Sequence, residues 1–118
     1  SLNQDSNHEA YVLGRLFSVL EAIQSDANPG INATIRDKYF SSASATPGVV
    51  FPTLVNLAQK HLRKLDEGKK IFYDKQLTEL MSKLGETYPN RMNLPQQGAF
   101  QLGYYHQTQY RFTKKEDK

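Results

Sequence analysis

Apolar residues that recur three and four positions apart, in short segments divided by turn signals, are the feature that most constrains this fold. In the first segment Leu13, Leu16, Leu20 and Ile23 follow this spacing, which places them on one face of an α-helix. The sequence Asn-Pro-Gly at residues 28–30 then ends the segment, since proline and glycine both interrupt helices. The chain is therefore predicted to be built from short helices that each bury one face.

The same spacing predicts five helices and no strands. The helices are expected at about residues 6–26, 32–42, 51–65, 70–84 and 93–113. The first is expected to begin with a capping box formed by Ser6 and Glu9, and the last with one formed by Asn93 and Gln96. Helices of this length are marginal alone and must pack on one another. We therefore predict an all-α fold, a compact four- to five-helix bundle, as one domain over residues 1–113, followed by a charged and disordered tail at residues 114–118.

Two small-residue features are expected to serve packing. Gly98 and Gly103 lie within the last predicted helix, where they would let another helix approach closely. The stretch Ser-Ser-Ala-Ser-Ala-Thr at residues 41–46 has little to bury. Helix packing or a subunit contact is the favoured interpretation of this stretch, and a phosphate contact is the alternative.

Composition excludes several function classes. The chain of 118 residues has no cysteine, which excludes disulfides, thiolate nucleophiles and cysteine-ligated metals and is typical of a reducing compartment. The histidines His8, His61 and His106 fall in three different predicted helices, without a carboxylate at metal-ligand spacing. No apolar run approaches the ~20 residues that span a membrane. We therefore predict a cytoplasmic protein that is not an enzyme, holds no cofactor and contacts no membrane.

The formal charge of +3 is unevenly distributed along the chain. Residues 1–30 carry one cation against four carboxylates, residues 31–84 nine against five, and residues 85–118 five against three. The densest cationic run lies at the end of the third predicted helix and in the following turn, and it consists of Lys60, Arg63, Lys64, Lys69 and Lys70. Arg36 and Lys38 would join this run if the second helix packs beside the third. Two interpretations stand: a solvated helix end, where lysine opposes the helix dipole favourably, or a binding site for nucleic-acid phosphates.

The last predicted helix combines aromatic rings, amides and a cation. Tyr104, Tyr105 and Arg111 would be able to stack on bases or contact sugar and phosphate, and they are secondary candidates for nucleic-acid binding. The alternative interpretation is that the tyrosine rings supply packing area and place their hydroxyls at the surface.

Four long segments resemble one protein family. They are YVLGRLF at residues 11–17, DANPGINATI at 26–35, DKYFSSASATP at 37–47 with VFP at 50–52, and LGYYHQ at 102–107. These segments are similar to the C-terminal region of the large subunit of the subtype I-C CRISPR Cascade complex. In some systems that region is also made as a separate small subunit from the same reading frame. The resemblance covers essentially the whole chain, and none of the four segments departs from the pattern of the family.

The resemblance implies an all-helical, non-catalytic subunit of a crRNA-guided surveillance complex in antiviral defence. In that family the small subunits, expected here in more than one copy, lie beside the backbone and large subunits. They hold target DNA and R-loop strands through sugar–phosphate contacts without reading sequence, and the crRNA is a further partner within the complex. The chain begins with Ser1 rather than Met, which is expected of a piece of a longer protein. A purely architectural module that bridges protein subunits is the alternative function.

Overall fold

A computed structural model describes the backbone of residues 1–116 and the side chains of residues 1–113. Within residues 1–116 the chain forms five α-helices and no strand, so the predicted all-α bundle is confirmed. The helices are α1 (Glu9–Ala27), α2 (Ile35–Ala45), α3 (Pro47–Leu62), α4 (Glu67–Ser82) and α5 (Leu94–Glu116). None of these helices is long and apolar enough to cross a membrane. Of the tail predicted at residues 114–118, residues 114–116 belong to α5, so this helix extends past its predicted end at residue 113, and residues 117 and 118 lie outside the described residues.

Helix α1 lies at the centre of the bundle and is buried on every side from residue 10 to residue 23. Helices α2, α3, α4 and α5 all pack against it. The single apolar stripe predicted for α1 is therefore wrong, because Val12, Val19 and Ala22 carry the apolar surface around the helix. Arg15 and Glu21 are buried with them. A helix that is apolar on all sides is typical of a core position.

Helices α1 and α5 meet closely through two glycines. A Cβ atom on Gly14 would lie 1.9 Å from the carbonyl oxygen of Phe100, and one on Gly103 would lie 2.0 Å from the carbonyl oxygen of Tyr11. Both contacts are to backbone, so no side-chain rotation would relieve them. The predicted packing role of Gly103 is confirmed, whereas a Cβ on Gly98 would meet no atom within 4 Å.

The contacts between α1 and α5 also show how the two helices run relative to each other. Arg15 bonds to Gln107, and Ser18 bonds to Thr108 three residues further along α1. The residue numbers rise together in both helices, so α1 and α5 run in the same direction. Parallel neighbours need a long connection, and α2, α3 and α4 supply it.

A cluster of aromatic rings fixes α2 and α5 beside α1. The ring of Phe17 on α1 packs edge-on against four others, namely Phe40, Phe51, Phe100 and Tyr104. Edge-to-face pairs of this kind contribute about 0.5–1.5 kcal/mol each beyond the burial of their area. Because the rings come from four helices, the cluster determines which surface residues of α2 and α5 become neighbours.

One of the two predicted capping boxes is present. The side chain of Asn93 accepts from the backbone N–H of Gln96 at 2.9 Å, and the side chain of Gln96 accepts from the N–H of Asn93 at 2.7 Å. The box predicted for Ser6 and Glu9 is wrong. The hydroxyl of Ser6 accepts from the N–H of His8 instead, and the His8 side chain caps α1.

Helix α2 has the predicted length but lies three residues further along the chain, and it begins with a capping box that was not predicted. The hydroxyl of Thr34 accepts from the N–H of Arg36, while the carboxylate of Asp37 accepts from the N–H of Thr34. The helix then continues three residues past the predicted end, through most of the small-residue stretch. Ala43 and Ser44 are buried there, so packing, the favoured interpretation, is the role of these two residues.

The turn between α3 and α4 lies three residues earlier than predicted. Helix α3 begins at Pro47, which leaves Pro52 inside the helix, and ends at residue 62. Asp66 caps α4 by accepting from the N–H of Lys69 at 2.9 Å. Because of this cap, Glu67 and Gly68, which were predicted to lie in the turn before the fourth helix, belong to the first turn of α4, and Lys70 follows within the helix.

Candidate nucleic-acid interface

The densest cationic run lies at the corner between α3 and α4. Lys60 is in the last turn of α3, Arg63 and Lys64 are in the connecting turn, and Lys69 and Lys70 begin α4. Lys70 is half-buried and the other four are exposed. Lys60, Arg63 and Lys64 therefore face solvent, as both interpretations of this run require.

Hydrogen bonds tie this corner to the end of α1. The Nζ of Lys64 donates to the Oδ1 of Asn28 at 3.4 Å, and the Nδ2 of Asn28 lies 3.3 Å from the Nδ1 of His61. Partial burial, with a smaller effect from the charge of Lys64, lowers the pKa of His61 below its usual 6.5. A neutral imidazole is thus available to accept from the Asn28 amide near pH 7.

Arg36 joins α2 to α5 through the faces of three aromatic rings. Its guanidinium carbon lies 5.3 Å from the ring centre of Phe40, 5.5 Å from that of Tyr104 and 5.7 Å from that of Tyr105. Its Nη2 also donates to the hydroxyl of Tyr105 at 2.8 Å. Arg36 remains exposed, so its orientation is fixed by the rings while its charge faces solvent.

Lys38 points away from Arg36. It lies two residues further along α2, roughly 200° around the helix axis, and its Nζ lies 5.5 Å from the ring centre of the neighbouring Tyr39. Helix α2 packs against α3. This contact was the condition under which Arg36 and Lys38 were expected to join the cationic run.

The cations of four helices surround the C-terminal end of α1. The start of α2 is held there by bonds from Thr34 to Glu21 and from Ile35 to Gln24, and the end of α3 by Asn28. Helix α4 is held by a hydrogen bond that Tyr73 donates to Asp26. We call the set Arg36, Lys38, Lys60, Arg63, Lys64, Lys69, Lys70 and Arg111 the basic end. A helix C-terminus carries a partial negative charge, so the fold is also stabilised by this arrangement.

The three secondary candidates have different surroundings. Tyr104 is 4 % exposed and donates its hydroxyl to the carboxylate of Glu21. Its ring supplies packing area as the alternative interpretation predicted, but its hydroxyl lies inside the bundle and not at the surface. Tyr105 is half exposed beside Arg36. Arg111 is partly exposed, and its guanidinium carbon lies 4.7 Å from the ring centre of Phe112. Arg111 is also near enough to Tyr73 for its charge to act on that phenol, which places it at the basic end.

The carboxylates of α1 are turned inward at this end. Glu21 is buried and accepts from Thr34 and Tyr104, while Asp26 accepts from Tyr73. The acidic charge predicted for the first helix is therefore partly held inside the bundle by hydroxyl donors, and it does not face the cations from the surface. The sequence contains no short-range signal for these pairs, because their members are 13 to 83 residues apart.

Both buried phenols are held in their neutral form. Burial raises the pKa of Tyr73 and of Tyr104 well above the usual 10, and the hydrogen bonds to Asp26 and Glu21 act in the same direction. The folded state therefore keeps these protons when the unfolded chain has lost them. The two phenols therefore contribute their full share to the free energy of unfolding below pH 10, and this contribution is lost as the pH rises further.

We expect the unfolding free energy of the wild type to fall above pH 10 by roughly 1.4 kcal/mol per pH unit for each of the two phenols. The double variant Tyr73→Phe/Tyr104→Phe has no phenol at either position, so its decline over the same range should be shallower. Urea denaturation at pH 9, 10 and 11 measures both slopes. Equal slopes in the two proteins would contradict the assigned burial.

The three histidines have structural partners. His8 caps α1, the Nδ1 of His61 lies near Asn28, and the Nδ1 of His106 lies 2.8 Å from the hydroxyl of Tyr11. Within the described residues no three His, Asp or Glu side chains are grouped so that they could share a metal ion.

The model of a family described as CRISPR-associated protein (Cas_Csd1) matches residues 1–112, which include all five helices up to the last turn of α5. No curated relative matches the chain.

Proposed function

The chain belongs to the CRISPR-associated Cas_Csd1 family, a family of type I-C Cascade, and on this basis we propose that it is a non-catalytic, DNA-holding subunit of that surveillance complex. It acts as the small subunit or as the corresponding region of the large subunit, beside the backbone subunits and the crRNA. It holds target DNA and R-loop strands through their sugar–phosphate backbone and does not read their sequence.

The observation that carries this proposal is the basic end. Cations that are up to 75 positions apart in sequence, from Arg36 to Arg111, are brought to one end of the bundle. Lysine and arginine on exposed helix ends recognise phosphates chiefly by charge, which positions a strand without discriminating its bases. In an RNA-guided complex sequence is read by base pairing, so a protein subunit needs only charge and shape.

The proposal assigns no catalytic step to the chain. Each histidine, the side chain that most often serves as general acid or base, is engaged in a cap or a helix–helix contact. The basic end offers cations, with the phenol of Tyr105 beside Arg36, and these groups support binding.

Binding of DNA by the isolated chain is expected to be weak, insensitive to sequence and strongly dependent on salt. Each phosphate that the protein neutralises on single-stranded DNA contributes about −0.7 to the slope of log K against log salt concentration, so four to six contacts give a slope of roughly −3 to −4. Fluorescence anisotropy with a labelled single strand, and with a strand of shuffled sequence, measures this slope. A slope near zero, or a strong preference for one sequence, would count against the proposal.

A second candidate function rests on the outward face of α5. Leu94, Leu102, Tyr105 and Phe112 recur along one side of this helix and are between 50 % and 80 % exposed. From residue 94 to residue 110 the helix carries no charged side chain, and depletion of charge is typical of the core of a protein–protein interface. This face would let the chain bridge other subunits of the complex without touching DNA. Under this alternative the salt titration shows no binding, and crosslinks from the basic end in the assembled complex reach protein but not DNA.

A further inference from the structure

Arg15 is a buried cation with an incomplete set of hydrogen bonds. The residue is 4 % exposed on α1, and its Nε donates to the Oε1 of Gln107 at 2.8 Å. Its Nη1 is buried and has no hydrogen-bond partner among the described residues. An unpaired buried donor costs about 1–3 kcal/mol, and more when it carries charge. This donor can therefore still bond to one further acceptor.

Arg15 lines a cavity of about 150 Å³ between α1, α4 and α5. The polar residues Gln76 and Gln107 line the same cavity, and the side-chain amide of Gln107 is bonded to the Arg15 guanidinium. The N-terminal segment covers it with Leu2 and Gln4. This segment is tied down by bonds from the Asn3 N–H to the Tyr11 hydroxyl at 3.0 Å and from Lys83 to Asn7 at 3.2 Å.

Glu79 is the only carboxylate that lines this cavity, and it forms no ion pair with Arg15. Burial lowers the pKa of Arg15, and the negative charge of Glu79 offsets part of that effect from a distance. A guanidinium stays protonated at neutral pH even when buried. The cavity therefore holds a positive charge whose nearest counter-charge is not in contact with it.

We propose that this cavity binds a small monocarboxylate, with the Nη1 of Arg15 donating to a carboxylate oxygen. A volume of about 150 Å³ corresponds to roughly five water molecules at ~30 Å³ each, which suits a group the size of acetate and excludes a nucleotide. One guanidinium neutralises the single charge of a monocarboxylate, whereas a phosphate dianion would keep an uncompensated charge in the buried site. This site is separate from the basic end and does not rest on the proposed function.

The test is a titration of the ¹⁵N-labelled chain with sodium acetate at pH 7, against sodium chloride and sodium phosphate at equal ionic strength. The NMR signals of the Arg15 Nε–H and of the Gln107 side-chain amide should shift with acetate in a saturable manner, with a midpoint on the order of millimolar, and the unfolding temperature should rise with acetate. A linear shift, or an equal response to chloride or phosphate, overturns the proposal.

Gln107→Glu supplies the missing carboxylate within the chain at unchanged size. It should keep the fold, raise the unfolding temperature in the absence of acetate and abolish the saturable response. Gln109→Glu makes the same change of charge at an exposed position of α5 and should leave the acetate response as in the wild type. If Gln107→Glu still responds to acetate, the cavity is not the binding site.

The variant Glu79→Gln tests whether the counter-ion of Arg15 is a bound ligand or Glu79 itself. Removal of the nearby negative charge should tighten acetate binding several-fold while the unfolding temperature without acetate stays close to that of the wild type. If Glu79 itself serves as the counter-ion in solution, the variant loses stability without acetate and shows no tighter binding, and the proposal fails.

Discussion

Gly103→Ala is expected to lower the unfolding temperature of this protein by on the order of 10 °C. The added Cβ would lie 2.0 Å from the carbonyl oxygen of Tyr11 and 3.2 Å from the backbone nitrogen of Arg15, so α1 and α5 have to move apart along their contact. Overpacking of a core typically costs about 1–3 kcal/mol, and the cost is higher where backbone must move. A loss of about 3 kcal/mol corresponds to this temperature shift for a domain of this size. Thermal unfolding followed by circular dichroism at 222 nm measures it.

Gly98→Ala is the matched control for this prediction, since both glycines lie in α5. A Cβ on Gly98 would meet no atom within 4 Å, and alanine favours a helix over glycine by about 1 kcal/mol. The control should therefore be as stable as the wild type or slightly more stable. Gly14→Ala, which would place a Cβ 1.9 Å from the carbonyl oxygen of Phe100, should destabilise like Gly103→Ala. Equal stability of the Gly98 and Gly103 variants would mean that α1 and α5 do not meet as described.

Reversal of charge at the basic end is expected to weaken DNA binding at least roughly tenfold at ~0.1 M salt while the helical content stays unchanged. The triple variant Lys60→Glu/Arg63→Glu/Lys64→Glu removes three phosphate contacts and adds three repulsive charges. Loss of three contacts reduces the salt slope on single-stranded DNA by about 2. All three side chains are exposed, and the one hydrogen bond lost is the long contact between Lys64 and Asn28 at 3.4 Å. Target binding and R-loop formation by the assembled complex give the functional measurement.

The control variant Lys75→Glu/Lys83→Glu/Arg91→Glu changes the net charge by the same amount. Its three cations lie in the middle of α4, at the end of α4 and in the linker before α5, away from the corner between α3 and α4. It should retain most of the DNA affinity. If both triple variants lose affinity equally, binding follows net charge alone and the basic end has no special role. If the first triple binds as the wild type does, the outward face of α5 becomes the favoured functional surface.

Much of the fold could be predicted from local patterns. The five helices follow from apolar spacing and turn residues, and the capping box of Asn93 and Gln96 follows from side chains three residues apart. The errors lie where local signals compete. Ser6 and Glu9 fit a capping box by spacing, but His8 caps α1, and the small residues before Pro47 remain helical because Ala43 and Ser44 are buried.

The candidate site could be predicted less well, because its members come from different helices. The residue types and the exposure of Lys60, Arg63 and Lys64 were predictable from one helix. The seating of Arg36 on three aromatic rings and the burial of Tyr104 against Glu21 depend on how α2 and α5 pack against α1. Spacing within one helix cannot contain that information.

The sequence by itself determined the helical class, the approximate helix bounds, the cationic character of the middle of the chain and the family resemblance, because each of these depends on residues close together or on composition. Only the tertiary structure decided that α1 is the central helix, that Gly14 and Gly103 bring α1 and α5 together, that Arg15 is buried beside a cavity and that cations of four helices share one end of the bundle. These features depend on packing between segments that are distant in sequence, where the shape of every neighbouring helix contributes to the free energy.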